Sequence, residues 1–440
     1  MRVIQVPFCF YPDPVGGTEI YVEALSRCLK QQGIEVIIAA PGKKTQAYLH
    51  NQLSVRRYAT SDRIENLREI YGEGDTYAAL EFSQILDAEQ PDLVHLHAFT
   101  SGVSLRIVEA AKQRKIPVVF TYHTPTVSCQ RGTLVRWGKQ ICDGQIDVYA
   151  CSQCTLQGLG LDENIAKAIG SLPSYVGRGL SSLNLQGGAW TALRMTELVS
   201  LRHATLQSLL SEVNHIVAVC NWIRDVLLLN HVPREKITVI RQGLCHNLPD
   251  KIDCRQQSSR STLKIAFLGR FDPTKGIHIL IKALQAIPKL PVCLDIYGVS
   301  QGTGGNDYQQ QLQILAENDP RITFKPPVPV ENVMSTLAEY DLLAVPSQWL
   351  ETGPMVVLEA FAAGIPVIGS HLGGIAELVQ HEVNGILVEP ASVSAWSQAL
   401  QQLCQDRKTL MQLSTNIQPP QTMETVAAQM LSIYNAFMKT

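Results

Sequence analysis

Uninterrupted apolar runs alternate along this chain with stretches of helical spacing, the pattern of parallel α/β sheets. In the first half, residues 3–8, 35–40, 93–96, 117–122 and 215–219 read as buried strands. A Pro/Gly-rich loop at 11–17 follows the first strand, Thr18 is placed to cap a helix over 19–32, and Gly33 ends that helix. A second series begins with a strand at 263–269 and a helix at 277–287, then strands at 293–297, 322–324 and 342–345. Between the two series, residues 245–262 are polar, with Pro249 and a serine run, and read as a linker. Pro419-Pro420 interrupts the chain before a last helix at about 424–437. The predicted fold is α/β: two doubly wound, Rossmann-like domains at 1–250 and 262–418, facing each other across a cleft, with 419–440 as a terminal helix. Open sheets of this kind bind ligands at the C-terminal ends of their strands, which directs attention to the loops there.

Length and charge narrow the classes. A chain of 440 residues exceeds one ordinary core and suits two domains. The formal net charge of −2 gives no reason to expect a nucleic-acid partner. No apolar run is long enough to cross a bilayer, and no basic-then-apolar leader opens the sequence, so a cytoplasmic protein is expected. With no secretion signal, the eleven cysteines suggest free thiols or a metal site rather than disulfides.

The densest candidate chemistry follows the strand at 342–345. In Pro346-Ser347-Gln348-Trp349-Leu350-Glu351-Thr352-Gly353-Pro354-Met355-Val356-Val357-Leu358-Glu359, one glutamate falls in a loop and the other inside a helix. Pro354 suits the first turn of that helix and Gly364 the left-handed position after it. The free N–H groups at such a helix start, near Gly353, Pro354 and Met355, form a place for a phosphate. Glu351 then lies at the rim of the loop, while Glu359 points toward whatever extends behind the phosphate. A second loop, Gly269-Arg270-Phe271-Asp272-Pro273-Thr274-Lys275-Gly276, places two cations after the first strand of the second domain. Its order is not that of a Walker loop, but a planar Arg and a flexible Lys together suit a diphosphate.

Three further turns complete a pattern: Gly364-Ile365-Pro366-Val367, Gly373-Gly374 and Asn384-Gly385. With the two glutamates, this segment resembles the nucleotide-sugar site of the retaining family 4 glycosyltransferases, which have the GT-B fold and a Glu-x7-Glu motif. The resemblance implies a sugar transfer from a nucleotide-diphosphate donor, UDP or GDP, to an acceptor hydroxyl on a glycan, lipid-linked saccharide or small molecule. It implies that Arg270 and Lys275 contact the donor diphosphate, that Glu351 holds donor-sugar hydroxyls, and that Glu359 holds the ribose. It also implies that the loop of Gly16 and Gly17 closes over donor phosphate and acceptor, and that the last helix crosses back to the first domain. No catalytic metal is expected, because the two cations neutralise the diphosphate. His123, after the strand at 117–122, matches a residue that touches the transferred sugar or the acceptor, although Thr124 stands where the family often has Asp. His95 and His97 end another strand and read mostly as structural, with His97 the nearer to the cleft.

The insert at about 124–160 is the least generic region. Cys129, Cys142, Cys151 and Cys154 give C-x12-C-x8-C-x2-C, which fits a structural zinc clip; an iron–sulfur cluster, a redox pair or four reduced thiols are the alternatives. Arg131, Leu134, Val135, Arg136, Trp137 and Lys139 mix basic and apolar residues, as peripheral contact with an anionic membrane would need and as an ordinary packed loop also shows. Low-charge residues 170–213 end in a helical pattern at 190–210, read chiefly as core packing. Two other functions stay open at this point: a GT-B epimerase or phosphorylase, and a non-catalytic zinc-binding partner subunit.

Overall fold

The computed structural model describes the chain apart from residues 14–15, 63–65, 138–139, 184–186, 246–261, 301 and 439–440. The chain forms two compact units, one made of Met1–Arg241 with Met423–Thr440 and the other of Gln242–Thr422. Most of the polar stretch read as a linker lies outside the described residues.

The strands of the first unit are β1 (Arg2–Val6), β2 (Glu35–Gly42), β3 (Gln46–His50), β4 (Leu53–Ala59), β5 (Leu93–Leu96), β6 (Val118–Tyr122), the short pair β7 (Val135–Arg136) and β8 (Gln140–Ile141), β9 (His215–Ala218) and β10 (Ile237–Val239). Eight of them form one sheet in the order β10-β9-β6-β5-β1-β2-β4-β3. Its pairs are parallel except for β3 on β4 at the edge. Helices α1 (Gly17–Gln31), α2 (Thr76–Glu89), α3 (Leu105–Gln113), α4 (Val148–Gly158), α5 (Glu163–Gly170), α6 (Ser174–Ser181), α7 (Gly188–Leu193), α8 (Met195–Glu212) and α9 (Asn221–Leu229) complete the series.

Two local expectations need correcting. Helix α1 starts one residue before Thr18, and its start is held by Glu19, whose Oε2 accepts from the Gly16 N–H at 2.9 Å. A carboxylate reaching back to an unpaired first-turn donor does the work assigned to the threonine hydroxyl. The helix read at 190–210 is broken into α7 and α8 at Arg194 (φ −92°, ψ −1°), whose Nε donates to Glu197 Oε2 at 3.0 Å.

In the second unit, β11 (Leu263–Arg270), β12 (Val292–Val299), β13 (Ile322–Lys325), β14 (Leu342–Val345), β15 (Val367–Ser370) and β16 (Gly385–Val388) form an all-parallel sheet in the order β13-β12-β11-β14-β15-β16. Its helices are α10 (Ile277–Gln285), α11 (Gly302–Ala316), α12 (Val333–Leu337), α13 (Met355–Ala362), α14 (Gly373–Leu378), α15 (Val393–Gln405) and α16 (Arg407–Thr415). The last helix, α17 (Met423–Phe437), belongs to the first unit, where it packs on α1 and buries Val426, Met430 and Tyr434.

Both sheets carry their apolar runs inward, and a fully buried Val or Ile such as Val3 or Ile265 is worth about 1.5–3 kcal/mol. Both also reverse strand order beside their first strand, between β1 and β5 and between β11 and β14. A crevice opens at such a reversal because the loops on either side leave in opposite directions. Within β1, Gln5 is as buried as its apolar neighbours, so its amide must find partners inside the protein. Among the described residues, no helix is long and apolar enough to cross a membrane.

Candidate functional site

In the second unit the loops after β11 and β14 lie against each other. Gly276 makes that approach feasible: it sits at φ 71°, and a Cβ there would come within 1.9 Å of the Pro346 carbonyl oxygen. The Gln348 N–H donates to the Thr274 carbonyl at 2.6 Å, tying the loops together. Asp272 Oδ1 accepts from the Thr274 N–H at 2.8 Å and shapes the short turn that carries Lys275.

That turn delivers Lys275 Nζ to Glu351 Oε1 at 2.5 Å, and Ser347 Oγ donates to the same oxygen at 2.8 Å. Both partners are largely buried. Burial by itself would raise the Glu351 carboxyl, but the Lys275 ammonium, together with side-chain hydrogen bonds that include the one from Ser347, outweighs it and holds the group below the usual carboxylate range. Lys275 Nζ also stands 5.4 Å from the Trp349 ring centroid. Arg270, the last residue of β11, is exposed.

Helix α13 begins after Pro354, and its first N–H groups have no acceptor within the helix. Gly364 takes the left-handed position past its end (φ 72°), as the sequence pattern requires. Glu359 lies on this helix at 9% exposure, and burial pushes its carboxyl up from 4.5 to about 7. The Gly373-Gly374 turn presses on the Glu351 loop: the Gly374 N–H donates to the Glu351 carbonyl at 2.6 Å, and a Cβ on Gly374 would meet the Gly353 nitrogen at 2.7 Å. The structure thus gathers Lys275, Glu351, Gly353, Pro354 and Met355 around the β11–β14 reversal.

The first unit builds its cluster from neutral groups. His123 follows β6 and is buried with His97, which follows β5; His97 Nδ1 lies 2.9 Å from His123 Nε2. His97 Nε2 meets Gln5 Oε1 at 2.6 Å, and the Gln5 amide nitrogen donates to Tyr434 Oη at 3.2 Å. Tyr434 reaches His95 Nδ1 at 2.6 Å, and His95 Nε2 meets Thr121 Oγ1 at 2.6 Å. Burial drives all three imidazoles down, His123 to about 3, so they are neutral near pH 7. His97 is therefore part of one network with His123, and His95 is the residue tied to the C-terminal helix. Gly16, just before α1, has φ −116° and room for a Cβ at 3.5 Å from Glu19, so neither strain nor crowding requires glycine there. Gln5 and Tyr434 escaped the sequence reading. A glutamine inside the apolar strand run was the available signal for the first, whereas a tyrosine on an amphipathic helix gives none.

The four cysteines of the insert are free and line a single pocket together with Arg131, Leu134 and Ile146. The structure gives the zinc expectation no support. Among the described residues, no group of three or more His, Cys, Asp or Glu side chains is placed to hold a metal ion. Burial raises the Cys151 thiol to about 12 and also raises Cys142. Cys154 Sγ instead accepts from the Trp137 N–H at 3.3 Å. Lys139, part of the basic and apolar mixture read in this insert, lies outside the described residues.

The architecture and its matches define a class of protein. Over 98% of this chain and 99% of the other, the structure resembles that of Anabaena HepE in complex with UDP and glucose (TM-score 0.63, 16% identity). It resembles sucrose-phosphate synthase from Thermosynechococcus elongatus over the whole of both chains (100%), with TM-score 0.68 and 19% identity. At these identities the likeness is one of fold, the GT-B fold of glycosyltransferases. Residues 251–418 match the family described as Glycosyl transferases group 1, and residues 15–156 match Glycosyltransferase Family 4. The chain belongs to the family 4 glycosyltransferases. Among curated relatives, D-inositol 3-phosphate glycosyltransferase of Nocardia farcinica is 29% identical over 47% of this chain and 48% of its own length. The enzyme of the same name from Corynebacterium kroppenstedtii is 25% identical over 89% of this chain and 78% of its own. The chain's match thus spans about half the length of the first of these, 48%.

Proposed function

We propose that this protein is a retaining glycosyltransferase that moves a hexose-type sugar from a nucleotide-diphosphate donor to an acceptor hydroxyl. The observation that carries the reading is the Lys275–Glu351 pair at the strand-order reversal of the second unit, with Glu359 in the helix that follows. Lys275, Arg270 and the first N–H groups of α13 stabilise the negative charge that grows on the leaving diphosphate. Lys275 keeps Glu351 ionised, so that its carboxylate accepts hydrogen bonds from donor-sugar hydroxyls. Glu359 accepts from the ribose diol, for which it must be ionised, so donor binding draws off the proton that burial favours.

In the transfer, the bond from the anomeric carbon to the diphosphate oxygen breaks, and a bond to the acceptor oxygen forms on the same face. The acceptor proton passes to the departing phosphate oxygen, so no glycosidase-type pair of carboxylates is needed. His123 contacts the transferred sugar or the acceptor. The Anabaena HepE complexes with UDP and glucose and with UDP-glucose make UDP-glucose the first donor to try, with GDP-sugars next. Incubation with each donor, with and without simple saccharide acceptors, and measurement of nucleotide release tests the reading. Release from one donor, with the anomeric configuration kept in the product, is the expected result. A product of inverted configuration, or a folded protein that binds no nucleotide sugar, contradicts it.

A further inference from the structure

The polar network of the first unit has a direction, and the direction is informative. A neutral imidazole carries one N–H and one bare nitrogen. His97 Nε2 faces Gln5 Oε1, an oxygen that only accepts, so the His97 proton must be on Nε2. His97 Nδ1 is then bare, and the proton between His97 and His123 must come from His123 Nε2. That leaves His123 Nδ1 without a proton. This atom is buried and has no hydrogen-bond partner within the described protein. On the far side of Gln5, its amide N–H₂ donates to Tyr434, which donates to His95 Nδ1, leaving His95 Nε2–H to donate to Thr121.

Turning the Gln5 amide over would reverse every proton in this chain of groups and leave a bare N–H at His123 Nδ1. A stranded buried donor is the rarer and costlier of the two outcomes. We infer that Gln5 and His97, anchored by Tyr434 of α17, are positioning residues that fix His123 as the Nε2–H tautomer, so that its Nδ1 is an acceptor for a substrate hydroxyl. The inference rests on the glycosyltransferase reading for the identity of that hydroxyl, on the donor sugar or the acceptor, but not for the tautomer. Burial disfavours protonation of the ring, so His123 holds the hydroxyl without removing its proton.

Nitrogen-15 spectra of histidine-labelled protein, recorded without substrate, test the tautomer independently of any activity. The expected result is a single Nε2–H form of His123 in the wild type, and a mixture of tautomers in Gln5→Leu and in Tyr434→Phe. Two variants are used so that failure of one to fold leaves the other informative. In turnover, Gln5→Leu should raise KM for the substrate that brings the hydroxyl by about five- to tenfold, the worth of one neutral hydrogen bond. Varying donor and acceptor in turn identifies which substrate that is, while affinity for UDP alone should stay unchanged. A wild-type His123 protonated on Nδ1 would overturn the inference. So would an unaltered tautomer in a folded Gln5→Leu protein, or a parallel loss of UDP affinity. If no donor is consumed, the function proposed above fails while the tautomer result still stands or falls by itself.

Discussion

The two units place their polar groups at the same topological position and make them differently. At the β11–β14 reversal the second unit sets an ion pair, Lys275 with Glu351, inside a clasp of loops held by Gly276 and Gly374. At the β1–β5 reversal the first unit sets uncharged imidazoles, an amide and a phenol, each satisfied by the next except at His123 Nδ1. The difference follows from the work proposed for each. A leaving diphosphate needs fixed positive charge, whereas choosing among hydroxyls needs donors and acceptors of defined polarity. Charges buried as a pair are costly to separate, and a directed network of neutral groups is costly to reverse where reversal strands a buried donor.

The largest way to break the comparison is Lys275→Ala. Removing the ammonium should lower the nucleotide-release rate by about a hundred- to a thousandfold. It also leaves the buried Glu351 carboxylate without its counter-ion, so stability should fall by about 3–5 kcal/mol, read from chemical denaturation. The double variant Lys275→Ala/Glu351→Gln should recover most of that stability and none of the rate. The sign with pH follows from the direction of the Glu351 shift. A carboxyl held below its ordinary 4.5 stabilises the fold above that pH, and the contribution is lost as pH falls through the folded value.

Glu359 gives the opposite sign and a smaller effect. Its carboxyl is raised from 4.5 to about 7, so keeping it ionised costs stability, increasingly above pH 4.5 and fully above about 7. Glu359→Gln should therefore stabilise the protein at pH 8 by up to about 3 kcal/mol and have almost no effect near pH 5, while weakening donor binding. Melting curves at the two pH values, with and without UDP, check both halves. The smallest effect is expected from Gly276→Ala, where strain at φ 71° and the clash with Pro346 should cost about 1–3 kcal/mol. Because that turn positions Lys275, turnover should fall more than stability alone explains, which kinetics on protein confirmed as folded will show.

Much of the second unit was legible in the sequence because its site is local. Glu351, Gly353, Pro354, Glu359 and Gly364 fall within one strand–loop–helix segment, and backbone constraints at Pro354 and Gly364 punctuate it. What the sequence did not show is that Lys275 and Glu351 touch, since that depends on a loop approach which only Gly276 permits. In the first unit the decisive contacts join residues from opposite ends of the chain, Gln5 with Tyr434, and no spacing rule reaches that far. The cysteine insert shows what local spacing alone leaves open. Its C-x-x-C spacing places Cys151 and Cys154 one turn apart on α4, as a zinc site would, but half-buried thiols at that spacing also serve as ordinary lining of an apolar pocket.

The most direct measurement is the rate of nucleotide release from the donor that the wild type uses, compared with Lys275→Ala/Glu351→Gln at matched stability. A double variant that melts like the wild type and releases nucleotide at least about a hundredfold more slowly is the predicted result. An equally stable double variant that turns over at the wild-type rate would contradict the account, because the charge work would then lie elsewhere.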